Sequence, residues 1–168
     1  MFPPVRPVPA VCWREVEPPR DWPAACEPLR AQGLPWLLDS ALVDARLGRF
    51  SFAGADPWLV LRAFGRRIEI ECRRSVHAGL EPGLHVVEGD PLAWARSLLP
   101  APPHAGSLLP PGLPFVGGAV ACIGYELASE PGPLALRGRD DPGFADLTLL
   151  YTDRLLAVDH LQARAWAV

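Results

Sequence analysis

Apolar and polar residues alternate with a period of two, or form short apolar runs, along most of the chain, and this pattern predicts a protein built mainly from β-strands. The predicted strands, in chain order, are residues 11–16, 35–41, 48–54, 58–64, 67–73, 147–151, 154–160 and 164–168. The short link Gly65-Arg66 predicts a β-hairpin between the two strands that flank it. Proline-rich flanks around residues 11–16 are typical of an edge strand.

Two helices are predicted from their start signals. Asp21 precedes Trp22-Pro23 and Asp90 precedes Pro91, so each start combines a capping acid with a proline in the first turn. The first helix should extend to about Gln32, and the second carries apolar residues at helical spacing as far as Leu99. These elements predict an α+β fold, with antiparallel strands in a sheet or sandwich and about two outer helices.

Proline and glycine mark two surface loops, residues 100–114 and 129–141. The second loop contains Asp140-Asp141, which is expected to form Asx turns. Residues 115–126 carry too many small residues for an ordinary strand, so we expect another backbone to approach closely, or a sharp bend. Because no helix start follows Gly117-Gly118, that pair is assigned to close packing and not to phosphate binding.

The 168 residues, 49% of them hydrophobic, suffice for one sizeable core and predict one domain. No run reaches the roughly 18–20 apolar residues that span a bilayer, and Met1-Phe2-Pro3-Pro4 is unlike a signal peptide. We therefore expect a cytoplasmic protein that does not enter a membrane.

Charge and composition exclude several functions. All 16 basic residues are arginine and the net charge is -3, which argues against a nucleic-acid-binding surface. The absence of lysine excludes Schiff-base chemistry, a lysine general base and the P-loop. The chain also lacks the G-x-S-x-G, H-E-x-x-H and G-x-G-x-x-G motifs, and we assign it no catalytic residue.

The cysteines and histidines are too scattered to predict a metal site or a redox site. The cysteines, expected to be reduced and mostly in the core, are Cys12, Cys26, Cys72 and Cys122. The histidines, expected on the surface or in loops, are His77, His85, His104 and His160.

Two stretches carry more specific information. One is Leu37-Leu38-Asp39-Ser40-Ala41, followed six residues later by Gly48-Arg49-Phe50-Ser51-Phe52-Ala53-Gly54-Ala55-Asp56-Pro57. The other runs from Pro114-Phe115-Val116-Gly117-Gly118 to Gly124-Tyr125-Glu126-Leu127. In order and spacing they resemble the N-terminal domain of component I of anthranilate synthase and of aminodeoxychorismate synthase. One departure is Ala121-Cys122, where that family usually has Gly-Tyr.

The resemblance covers nearly the whole chain and implies that residues 1–168 form the N-terminal half of the anthranilate synthase component I fold. In that family the first two motif strands line a tryptophan pocket. The resemblance therefore implies that Ser40 contacts the polar end of tryptophan and that Leu47, Gly48, Arg49 and Phe50 form the opposite wall. A purely structural alternative has Ser40 bonded to backbone, Arg49 paired with Asp39 or Asp56, and Phe50 and Phe52 in the core.

The resemblance also implies a parent enzyme that converts chorismate and ammonia. Its C-terminal chorismate-binding catalytic domain, which holds Mg²⁺, would be absent from this chain, and a glutamine amidotransferase subunit would supply the ammonia. The interval from Ser40 to Arg49 favours aminodeoxychorismate synthase slightly over anthranilate synthase.

Two alternatives of another class are a stand-alone amino-acid-binding regulatory module and a purely structural β-rich domain. Against the first stands the C-terminal sequence Ala165-Trp166-Ala167-Val168, which ends inside a predicted strand.

Overall fold

The computed structural model describes residues 11–75, 80–100, 109–125, 127 and 143–168. These residues form ten strands in two five-stranded sheets, two α-helices and one 3-10 helix, which confirms the predicted α+β class. The chain divides into two compact units, and each unit contains one of the two sheets.

The elements follow one another in an order dominated by strands. They are β1 (Arg14–Val16), α1 (Trp22–Cys26), the 3-10 helix (Glu27–Gln32), β2 (Trp36–Leu38), β3 (Phe50–Gly54), β4 (Leu59–Phe64), β5 (Arg67–Cys72), β6 (Gly83–Glu88), α2 (Pro91–Leu98), β7 (Gly118–Ile123), β8 (Leu147–Thr152), β9 (Leu156–Asp159) and β10 (Arg164–Ala167).

The first sheet has the strand order β1-β10-β9-β3-β2, and its neighbouring strands run antiparallel. The register places Phe50 opposite Asp159 and Ser51 opposite Val158. The side chains of Trp22 and Cys26 in α1 pack on Ala53, Val158 and Ala165 and form a small core on one face. The predicted edge strand at residues 11–16 is confirmed as β1 at the margin of this sheet.

The second sheet has the order β6-β5-β4-β8-β7. Strands β4 and β5 form the predicted hairpin, and Asp146 accepts the N–H of Gly65 in its turn at 2.6 Å. Helix α2 contributes Ala95 and Leu98 to the core of this unit, where they pack with apolar side chains from β4, β5 and β8.

Both predicted helix starts are confirmed. Asp21 accepts the N–H of Ala24 at 3.0 Å, and Asp90 accepts the N–H groups of Leu92 and Ala93. The first helix is α-helical only as far as Cys26 and continues as a 3-10 helix to Gln32. Pro28 accounts for this difference, because proline has no N–H for an α-helical bond to the preceding turn.

Strands β6 and β7 differ from the sequence analysis. Residues 83–88 were assigned no element, because β6 exposes Leu84 and Val86 at a sheet edge, so its apolar residues do not follow an inside-outside alternation. Strand β7 forms in spite of its small residues. The predicted close approach of a backbone is confirmed just before it, since a Cβ on Gly117 would lie 3.2 Å from the carbonyl oxygen of Thr152.

The hydroxyl of Tyr151 joins β8 to α2. It is fully buried and donates to the carbonyl oxygen of Ala95 at 2.9 Å, and burial raises its pKa far above the ordinary value. Tyr151→Phe would leave that buried carbonyl oxygen without its partner, and we expect a loss of about 1–2 kcal/mol in the free energy of unfolding. Urea denaturation of the two proteins measures it, and an unchanged midpoint would contradict the importance of this bond.

The loop predicted at residues 129–141, including Asp140-Asp141, lies outside the described residues, as does most of the loop predicted at 100–114. Within the described part of the chain, no helix has both the length and the apolar character needed to cross a bilayer.

Candidate functional site

The connection from β2 to β3 contains a tight turn closed by Asp44. Its carboxylate accepts the N–H groups of Arg46 and Leu47, each at 2.9 Å, and these bonds lower the pKa of the Asp44 carboxyl. Asp44 and Gly48 also exchange backbone hydrogen bonds of 3.3 and 3.1 Å. The turn is therefore fixed by its own hydrogen bonds before any ligand binds.

Gly48 is required at the base of this turn. A Cβ built on Gly48 would lie 1.9 Å from the carbonyl oxygen of Leu42, far inside van der Waals contact. The side chains of Leu42 and Leu47 are both 81% exposed. A concavity of about 610 Å³ over the turn is lined by Leu42, Asp44, Arg46, Leu47 and Gly48.

Ser40 ties the end of β2 to the start of β3. Its hydroxyl donates to the carbonyl oxygen of Phe50 at 2.7 Å, and its backbone N–H donates to the hydroxyl of Ser51 at 2.9 Å. The structural alternative for Ser40, a strand-end hydroxyl bonded to backbone, is thereby confirmed. Contact with a ligand stays a prediction.

Arg49 pairs with Asp159, so the expectation that it pairs with Asp39 or Asp56 is wrong. Its Nε and Nη2 both donate to Oδ2 of Asp159, at 2.9 and 2.6 Å. Strand β3 lies beside β9 in the sheet, which brings these residues together although 110 positions separate them. The Arg49 side chain is 31% exposed, whereas that of Asp159 is 1% exposed.

Asp159 is a buried carboxylate with both oxygens bonded. Oδ1 accepts the N–H groups of Leu161 and Gln162, at 3.0 and 3.1 Å. Burial opposes ionisation of this group, but the bonds from Arg49, Gln162 and Leu161 outweigh it and lower the pKa of the carboxyl below its ordinary value.

Four aromatic rings, called here the aromatic row, lie in contact beside this ion pair. The ring centroids of Phe50 and Phe52 are 6.1 Å apart, and those of Phe52 and Phe115 are 5.7 Å apart. Trp36 completes the row at 6.5 Å from Phe115, and the Arg49 guanidinium lies 4.8 Å from the Phe50 centroid. Phe50 and Phe52 are half-buried, which corrects the structural alternative that placed both in the core.

A second polar cluster contains Asp39, Ser51 and His160. The hydroxyl of Ser51 lies 3.1 Å from Asp39 Oδ1 and 2.7 Å from His160 Nε2, and Ser51 is fully buried. The register puts Ser51 on the opposite face of the sheet from Phe50. His160 was expected on the surface or in a loop, but it is half-buried and belongs to this cluster.

This cluster does not have the arrangement of a hydrolase. In a serine triad the histidine lies between the acid and the serine, so that the acid orients the imidazole. Here the serine lies between the acid and the histidine, and its hydroxyl also accepts the N–H of Ser40. Ser51 is saturated with hydrogen bonds and buried, which is the environment of a structural hydroxyl.

The cysteine prediction is half right. Cys26 and Cys72 are buried, and burial raises the pKa of both thiols, whereas Cys12 and Cys122 are exposed. All four are free thiols.

Of the two histidines in the described ranges, His85 contacts the carbonyl oxygen of Glu81 at 2.7 Å. His77 and His104 lie outside those ranges. In the part of the chain that the structure describes, no three His, Cys, Asp or Glu side chains are grouped so as to hold a metal ion.

The five residues predicted to bind the ligand fall into two groups in the structure. Ser40, Arg49 and Phe50 are linked by hydrogen bonding and by ring contact, whereas Leu47 and Gly48 belong to the turn and its concavity. Asp159, Phe52 and Phe115 adjoin the first group and were not predicted as site residues. A fixed guanidinium beside aromatic rings suits a ligand that combines an aromatic ring with a carboxylate.

No protein-family model matches the chain. Three proteins named anthranilate synthase component 1 are similar to it in sequence. The Acetivibrio thermocellus protein is 28% identical over 77% of this chain, that of Pseudomonas putida 31% over 79%, and that of Streptomyces coelicolor 33% over 77%. The matches span 24%, 26% and 20% of the lengths of those relatives, so this chain corresponds to about a quarter of such a protein or less. The similarities support the relationship that the sequence motifs indicate.

Proposed function

We propose that this chain is the non-catalytic N-terminal domain of a synthase that aminates chorismate. The observation that carries the proposal is the similarity to three anthranilate synthase component 1 proteins over 77–79% of this chain. The site geometry agrees, because the Asp39-Ser51-His160 cluster lacks the order that activates a nucleophile. Catalysis would belong to a C-terminal chorismate-binding domain, which would hold Mg²⁺ and receive ammonia from a glutamine amidotransferase subunit.

The two candidate parent enzymes differ in their product. Aminodeoxychorismate synthase makes 4-amino-4-deoxychorismate for folate, whereas anthranilate synthase makes anthranilate for tryptophan. The interval from Ser40 to Arg49 favours the first, and the names of the three relatives favour the second. All three relatives bear the same name, so the anthranilate branch is the working proposal and the aminodeoxychorismate branch the second candidate.

The ligand proposed for the N-terminal domain is tryptophan. Its indole ring would lie against the half-buried Phe50 and Phe52, and its carboxylate would contact the Arg49 guanidinium, whose central carbon is 4.8 Å from the Phe50 centroid. Ser40 would set the position of Phe50 through its 2.7 Å hydrogen bond, and it would lie at the polar end of the ligand, as the resemblance implies. Leu47 and Gly48 would form the rim of the site through the Asp44 turn.

Isothermal titration of the purified chain with L-tryptophan tests this site. We expect binding, and we expect Ser40→Ala to weaken it about tenfold, because the loss of one hydrogen bond worth roughly 1–1.5 kcal/mol releases Phe50. Ser97→Ala is a matched control, since Ser97 also donates its hydroxyl to a backbone carbonyl, that of Trp94 at 2.8 Å, but in α2. Equal weakening by both variants would contradict a role of Ser40 in the site.

The non-catalytic part of the proposal has its own test. The chain is incubated with chorismate, ammonium and Mg²⁺, and the products are separated by chromatography. We expect neither aminated product to form. Turnover of chorismate would contradict the proposal that catalysis belongs to another domain.

The stand-alone regulatory module remains an alternative class. It predicts tight tryptophan binding together with no effect of the chain on any chorismate-converting activity. If the chain is a domain of a synthase, it should support such activity when it is joined to the catalytic part.

A further inference from the structure

Arg49 is held by a chelating contact that fixes the plane of its guanidinium. Nε and Nη2 converge on the single oxygen Oδ2 of Asp159, at 2.9 and 2.6 Å. Because a guanidinium is planar and rigid, fixing two of its nitrogens also fixes the third, Nη1. The group lies 4.8 Å from the centroid of Phe50, so its position relative to the aromatic row is set as well.

Asp159 is itself immobile. Its side chain is 1% exposed, and its other oxygen, Oδ1, accepts the backbone N–H groups of Leu161 and Gln162. The turn after β9 therefore holds the carboxylate from one side while Arg49 binds it from the other. Asp159 has no surface with which to contact a ligand, whereas the Arg49 side chain is 31% exposed.

We infer that Asp159 is a positioning residue that makes Arg49 a preorganised receptor for the carboxylate of an aromatic amino acid. This inference rests on the proposed tryptophan site. It assigns the preference of that site for ligands with a carboxylate to Asp159, a residue that does not touch the ligand. A free arginine side chain loses considerable rotamer freedom when it is immobilised by a ligand. In this site Asp159 has already immobilised it, so a ligand carboxylate binds Nη1 without that cost.

The experiment compares two ligands that differ only at the carboxylate, L-tryptophan and L-tryptophanamide. Their dissociation constants are measured by isothermal titration for the unmodified chain and for Asp159→Asn, Arg49→Gln and Glu69→Gln. Asparagine retains an oxygen for the N–H groups of Leu161 and Gln162 but presents no negative charge to Arg49. Glu69→Gln is the matched acid-to-amide control, because Glu69 forms a 2.6 Å ion pair with Arg67 in the other sheet.

The unmodified chain should bind tryptophan at least about tenfold more tightly than tryptophanamide, as expected for a charge-assisted contact. Asp159→Asn should reduce that preference to about threefold or less, as should Arg49→Gln. Glu69→Gln should leave it unchanged. A purely structural role of Asp159 would weaken both ligands equally and preserve the preference, and this result would overturn the inference.

A second measurement uses only the unmodified chain, so it does not depend on how well a variant folds. In nitrogen-15 NMR spectra of the unmodified chain, the Nε–H resonance of Arg49 should persist at neutral pH because of its bond to Asp159. Tryptophan should shift this resonance without broadening it away, and tryptophanamide should shift it little. Loss of the resonance on addition of tryptophan would show that the ligand pulls Arg49 from Asp159, which contradicts positioning.

The outcomes separate this inference from the proposed function. If the unmodified chain prefers tryptophan and Asp159→Asn keeps the preference, only the role of Asp159 is wrong. If the unmodified chain binds neither ligand, the proposed tryptophan site is wrong and the inference is overturned with it.

Discussion

Asp159→Ala is expected to lower the free energy of unfolding by about 3–5 kcal/mol, the range for breaking a buried ion pair by removal of one partner. The substitution deletes two bonds from Arg49 and two from the backbone N–H groups of Leu161 and Gln162. For a chain of 168 residues this corresponds to a melting temperature lower by roughly 10 °C. Thermal and urea denaturation followed by circular dichroism measure it.

One control variant and a pH dependence test this prediction further. Glu17→Ala removes an exposed acid and should change stability by about 0.5 kcal/mol or less. The folded-state pKa of Asp159 lies below its ordinary value of 3.8, so its stabilising contribution is complete above that value and is lost as the pH falls below it. The difference in the free energy of unfolding between the unmodified chain and Asp159→Ala should therefore be constant near neutrality and shrink in acid. A difference that grows in acid would contradict the assignment.

Gly48→Ala is expected to destabilise the chain by about 2 kcal/mol, a typical cost of overpacking. The new Cβ would lie 1.9 Å from the carbonyl oxygen of Leu42 and 3.1 Å from the backbone nitrogen of Asp44. Both contacts are to backbone, so no side chain can rotate to relieve them. The turn must open, which would break its two backbone hydrogen bonds between Asp44 and Gly48. Urea denaturation gives the loss.

Arg46→Ala is the control for the same turn, because it removes an exposed side chain and leaves the backbone unchanged. We expect a change of about 0.5 kcal/mol or less. Equal stabilities of Gly48→Ala and Arg46→Ala would show that the turn does not require glycine at this position.

Local chemistry explains why the elements were predicted well. Asp21 and Asp90 cap helices because a carboxylate accepts the free N–H groups of the first turn and proline suits that turn. Gly65-Arg66 joins two runs of β-type residues and forms the hairpin turn. Strand β6 was missed because it exposes Leu84 and Val86, so its apolar residues do not mark a buried face.

The candidate site was predicted only where its residues are close in sequence. Ser40 follows β2, Arg49 directly precedes β3 and Phe50 begins β3, so all three lie close together in the chain and their motif is visible in the sequence. The partner of Arg49 is 110 residues away, and only the placement of β9 beside β3 selects Asp159 over the nearer acids Asp39 and Asp56. Sequence spacing contains no information about which strands become neighbours in a sheet, so this pairing was not predictable.

The same limit explains His160. The imidazole of His160 contacts the hydroxyl of Ser51. In the β3–β9 register Ser51 lies opposite Val158, and His160, two positions after Val158, is on the same face of the sheet. Nothing in the sequence around His160 indicates a contact with Ser51.

The most direct test of the central claim is a domain exchange. The segment of Pseudomonas putida anthranilate synthase component 1 that matches this chain is replaced by the chain itself, and the formation of anthranilate from chorismate, ammonium and Mg²⁺ is followed by fluorescence. If the chain is the N-terminal domain of a synthase that aminates chorismate, the exchanged protein forms anthranilate, and a version with the segment deleted does not. An exchanged protein that is folded by circular dichroism and as inactive as the deletion would contradict the proposed function.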